Sequence, residues 1–158
     1  MIKSRRQFIT KTLALGAYGI TITTGILHSP IVAAKWLKQR FILSDYDETI
    51  AHLFNGETLI DNHNKIKISR LPNVAENGAI VPIKISSQFK NITKIYILVK
   101  NNPHPLSAEF EISPAVEAEV SARLKMAKTS EVVVIVEADG KFYRRFKKVK
   151  VSIGGCGG

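Results

Sequence analysis

Cysteine is nearly missing from this sequence: Cys156 is the only one in 158 residues. A single thiol cannot close a disulfide within the chain, so in an oxidising compartment it stays free, is modified, or bonds to another molecule. The four histidines, His28, His52, His63 and His104, are dispersed. With one cysteine they make no metal-ligand spacing, so no metal and no other cofactor is expected. Acidic residues are absent from the first 34 positions. No apolar run reaches the roughly 20 residues that span a bilayer, which argues against a stable membrane anchor. Repeats and low-complexity tracts are lacking apart from a glycine-rich tail, and nothing resembles a nucleic-acid recognition motif.

What is present begins with a basic start, Ser4-Arg-Arg-Gln-Phe-Ile9, followed by a mostly apolar stretch from Leu13 to Leu27 and small residues at Ile31-Val-Ala-Ala34. This three-part order predicts a cleaved export signal over residues 1–34, and the paired arginines point to the twin-arginine route into the periplasm. Thr10 stands where that route often has lysine, with Lys11 one place later. Residues 35–158 then form one domain with room for an ordinary core. Lys3, Arg5, Arg6 and Lys11 leave with the signal, so the formal charge falls from +10 to a moderate positive value that favours anions or acidic protein faces.

Along the remaining chain a helix comes first. Ser44 is placed to cap a helix from about Asp45 to Phe54, with Asp45, Asp47 and Glu48 near its positive end and Gly56 at its stop. Tyr46, Ile50, Leu53 and Phe54 share one face. The periodicity then changes to two over 65–69, 80–86, 91–100, 108–112, 118–126, 131–138 and 141–151. Seven short strands predict two packed antiparallel sheets: an all-β sandwich with a short N-terminal helix. Asp139-Gly140 predicts a tight hairpin. Pro82, which cannot donate to a ladder, predicts an edge strand or a bulge. Asn101 to Pro105 reads as a loop. Ile and Val on both faces of 95–99 and 132–136 suggest that a partner covers one outer sheet.

The tail carries the chemistry. Gly154, Gly155, Gly157 and Gly158 put no bulk beside the Cys156 sulfur, so residues 154–158 are expected to form a flexible arm. Fully extended, Cys156 reaches about 10 Å beyond Ile153. A catalytic cysteine needs a base or fixed positive charge to hold it as thiolate, because an unperturbed thiol has a pKa of about 8.5. No such neighbour stands in the sequence, which favours a carried thiol over a catalytic one and a chain that is no enzyme. Arg144, Arg145, Lys147, Lys148 and Lys150 lead into the tail. They either steer this end toward acidic partners or are solvated gatekeepers on an edge strand.

The tail together with Val74 to Pro82, Asn102 to Leu106, Arg123 to Met126 and Ala138 to Tyr143 resembles the SoxY family, sulfur-carrier subunits of the periplasmic thiosulfate-oxidation (Sox) system. The resemblance covers nearly all of the chain after the signal. It implies an immunoglobulin-like sandwich that pairs with a SoxZ-like subunit, and covalent attachment of sulfur intermediates to Cys156 as S-thiosulfonate or persulfide. It also implies visits to a SoxXA-like cytochrome, a SoxB-like hydrolase and, where present, a SoxCD-like dehydrogenase. Two other readings stay open: a carrier using a Gly157-Gly158 thiocarboxylate, and a structural sandwich that dimerises through Cys156.

Overall fold

The computed structural model describes residues 40–61, 64–114 and 117–154. The expected signal over 1–34, and with it His28, as well as His63, Gly155, Cys156, Gly157 and Gly158, lie outside the described residues. Among the described residues one helix, α1 (Tyr46–Phe54), precedes nine strands: β1 (Leu59–Asp61), β2 (Ile66–Ser69), β3 (Val74–Asn77), β4 (Val81–Ser87), β5 (Ile92–Val99), β6 (Leu106–Glu111), β7 (Glu119–Leu124), β8 (Ser130–Ala138) and β9 (Lys141–Ile153). They form the expected all-β, immunoglobulin-like sandwich. One sheet has the order β1-β9-β8-β5-β6 with β3 also on β9, and the other is β2-β4-β7.

Period-two alternation builds two apolar layers. Ile95, Ile97 and Val99 of β5, with Val132, Val134 and Val136 of β8, point between the sheets and meet Ile83 and Ile85 of β4. The intervening Tyr96, Leu98, Val133 and Ile135 point the other way, where Leu53 and Phe54 of α1 cover them. Phe54 packs edge-on against Tyr96 at 5.2 Å and against Phe142 at 4.9 Å between ring centroids. The apolar surplus on β5 and β8 is therefore covered within the chain, by its own helix, and calls for no second subunit on that account.

Local chemistry sets the boundaries. The cap of α1 is Asp45, whose carboxylate accepts from the Glu48 amide at 2.9 Å, so Ser44 is one residue outside the cap. The helix stops at Asn55, left-handed at φ 47°, one residue before Gly56. Asp139 and Gly140 take φ 51° and 68°. These mirror-turn values match the twist of β8 and β9 and close the hairpin. β4 is the central strand of its sheet, contrary to the edge position expected from Pro82. Pro82 pairs with Arg123 of β7, while the β2 pairing ends at Ser69 and Lys84, so the missing N–H falls beyond the reach of β2. β1 and β3, unforeseen in the periodicity, pair with β9 in parallel.

Candidate functional site

β9 outruns its hairpin partner. The last paired residue of β8 is Ser130, opposite Val149, yet β9 continues to Ile153. Over that extension β3 takes up the pairing, with Val74 opposite Lys150 and Asn77 opposite Ile153. The Gly78 amide donates to the Ile153 carbonyl at 2.7 Å, and the Met126 amide donates to the Gly78 carbonyl at 2.7 Å. Facing these, the Val151 amide donates to Thr129 Oγ1 at 3.0 Å. The end of β9 is thus braced from both sides up to Gly154, two residues before Cys156.

Gly154 lies so close to the Ala127 carbonyl that an added Cβ would come well inside 3.0 Å of the oxygen. Backbone stands on the other side of that contact, so the glycine is needed for close approach. The Asn102 side chain holds Ala127 in place. Its Oδ1 accepts from the Ala127 amide at 2.9 Å, and its Nδ2 donates to the Lys125 carbonyl at 2.7 Å. Asn101 adds a bond from Nδ2 to the Thr129 carbonyl and one from its amide to Ser130 Oγ, both 2.9 Å. Three segments that looked unrelated in the sequence, 74–82, 101–106 and 123–130, converge on one end of the sandwich. Sequence reasoning placed Asn101 in a loop and Gly78 and Asn102 in resembling motifs, but gave none of them, nor Thr129, a role at the tail, because their partners lie many residues away.

The basic run of β9 divides between two faces. Arg145 donates to the Ile66 carbonyl, and Lys147 Nζ donates to the Leu71 carbonyl at 2.6 Å. Both side chains are spent on backbone oxygens of the β2 to β3 segment. On the opposite face Arg144 Nε meets Asp61 Oδ1 at 2.5 Å. That bond holds the Asp61 carboxyl below its ordinary range and raises Arg144. Lys148 and Lys150 remain exposed. Among the described strands β1 pairs with β9 only at 142–144 and β3 only from Lys150 on, so between them Lys147 and Lys148 lie on a stretch paired to β8 alone, where the gatekeeper and steering readings both stay open. Lys125 and Lys128, which flank Ala127, are exposed as well, as are Arg123 on β7 and the carboxylate of Glu76 on β3.

Beside the arm root a cleft of about 500 Å³ runs between the start of α1 and the Asn101 to Pro103 loop, with Asp45, Asp47, Lys100 and Lys128 on its walls. Its charge is mixed, and Asp45 is already engaged as the helix cap. Lys100 lies over the Tyr46 ring at 5.3 Å and approaches Glu131 at 3.9 Å. Burial raises the Tyr46 hydroxyl above its ordinary pKa, with Arg144 opposing. His52 is exposed on α1, and His104 Nδ1 lies 3.3 Å from the Leu43 carbonyl. Among the described residues no group of histidine, cysteine and carboxylate side chains could hold a metal, and no helix is long and apolar enough to cross a membrane.

The family described as "Sulfur oxidation protein SoxY" matches residues 50–156. Among solved structures, the sulfur carrier protein SoxY from Chlorobium limicola f thiosulfatophilum is 39% identical, with a TM-score of 0.60 over 68% of this chain and 96% of that one. A superoxide reductase (neelaredoxin) from Ignicoccus hospitalis is 17% identical, with a TM-score of 0.49 over 61% of this chain and 83% of that one. No curated protein matches.

Proposed function

The chain belongs to the SoxY family, and from that premise we propose that it is a sulfur carrier whose Cys156 holds the cargo covalently while partner enzymes do the chemistry. One observation carries this reading: the only cysteine of the chain stands two positions past Gly154, to which β9 is braced against the body. The glycines on both sides in the sequence bring no side-chain bulk to a narrow entrance.

The chemistry balances around the thiol. Coupling the Cys156 thiol to the outer sulfur of thiosulfate forms one S–S bond, releases one proton, and hands two electrons to a haem-bearing oxidant of the SoxXA type. Water then attacks the terminal sulfonate sulfur in a SoxB-type hydrolase. The S–S bond to that sulfur breaks, sulfate and a proton leave, and a persulfide stays on Cys156. A SoxCD-type dehydrogenase, where one exists, takes six electrons from the remaining sulfane sulfur while three waters supply the oxygens of the sulfonate that forms and release their protons. Holding the intermediate on one tether keeps it at high effective concentration for each visit. On this reading the chain is non-catalytic, periplasmic, exported with a SoxZ-like subunit by the twin-arginine route, and has no resident cofactor.

Intact-mass measurement with fragmentation, after incubation with thiosulfate and the oxidising partner, tests the proposal. The expected result is a thiosulfonate adduct confined to Cys156. An adduct on the C-terminal carboxylate, or a disulfide dimer with no sulfur adduct, contradicts it.

A further inference from the structure

The sequence alone places the start of the free tether after Ile153, with Gly154 as its first link. The contacts at the end of β9 argue for a later start. Gly154 is pressed onto the Ala127 carbonyl at a separation that admits no side chain. Ala127 is itself fixed by the paired hydrogen bonds of Asn102. The Ile153 carbonyl just before it is held by Gly78.

We propose that Gly154 and Asn102 are positioning residues that set the anchor point of the arm, so that the reach of Cys156 is counted over two residues from Gly154 and not over three from Ile153. Gly154 serves contact, and the other three glycines of the tail serve clearance. Two residues of chain reach at most about 7 Å, against about 10 Å if the anchor retreats to Ile153. The volume searched by the sulfur then differs about threefold, and the effective concentration at a docked entrance differs inversely. Asn102 acts through Ala127, whose amide donates to its Oδ1, and through the Lys125 carbonyl, to which its Nδ2 donates.

The test uses the full chain and a pair of spin labels, one on native Cys156 and one on Ser121→Cys of the exposed β7 surface. Gly154→Ala is expected to broaden the interlabel distance distribution, because the added Cβ must push the tail off Ala127. Gly155→Ala, which adds the same bulk one residue later, is expected to leave the distribution unchanged. Asn102→Ala is expected to broaden it as Gly154→Ala does. A Gly154→Ala distribution that overlays the parent, or equal broadening by Gly155→Ala, overturns the proposal whether or not Asn102→Ala folds. Resting on the carrier reading, a second measurement follows a partner hydrolase acting on loaded protein: Gly154→Ala should raise KM about threefold with kcat unchanged. Failure of Cys156 to load at all counts against the carrier reading, and the label distances still judge the anchor point.

Discussion

Tyr96 shows how one side chain reports the packing of a whole layer. It is 3% exposed beneath Phe54, and burial, with Glu109 and Glu137 adding to it, holds its hydroxyl far above the ordinary value of 10.0. Below that value the phenol is protonated in both folded and unfolded chains. Above it the unfolded phenol ionises and the folded one does not, so stability is lost as pH rises, by up to about 1.4 kcal/mol per pH unit. Denaturant unfolding from pH 9 to 11 should therefore show a shallower decline for Tyr96→Phe than for the parent, and parallel curves would contradict the assignment. Lys147 and Lys148 give a second contrast. Lys147→Met should lower stability by about 1 kcal/mol through the lost bond to the Leu71 carbonyl, while Lys148→Met stays within about 0.5 kcal/mol. Equal midpoints in urea would refute the division of the two lysines between faces. The sequence marked both as basic, but which of them was committed to the backbone depended on the path of residues 66–71.

At the scale of elements, the strongest local signals were read correctly. Asp139-Gly140 closes the β8–β9 hairpin with both residues left-handed, so Gly140→Ala should cost about 1–2 kcal/mol in thermal or chemical unfolding; a change below 0.5 kcal/mol would contradict the turn. Phe54→Ala should cost about 3–5 kcal/mol, because Phe54 fills the layer between α1 and the large sheet. All seven alternating segments became strands, since burying one face against the opposite sheet enforces period two. β1 and β3 stayed hidden because three or four residues show no period, and their strand character comes from pairing with β9. The apolar second face of β5 and β8 was legible, but its cover was assigned to a partner; the helical face of Tyr46, Ile50, Leu53 and Phe54 supplies that cover instead.

For the whole molecule, the sandwich is a body that brings three loops to the end where the tail leaves. The tail composition made Cys156 conspicuous, whereas the brace around Gly154 was unreadable, because it joins Asn102, Ala127 and Gly78 across long stretches of chain. The same end carries exposed Lys125, Lys128, Lys148 and Lys150. If these steer the tail toward acidic entrances, reversing Lys148 and Lys150 to glutamate should slow loading by a partner enzyme at low ionic strength and flatten its salt dependence; an unchanged salt slope would reject steering. The carrier account itself is most directly tested by thiosulfate-dependent electron transfer in the reconstituted pathway with Cys156→Ser. Complete loss of turnover with a normally folded body is the predicted result, and turnover at the parent rate would contradict the account.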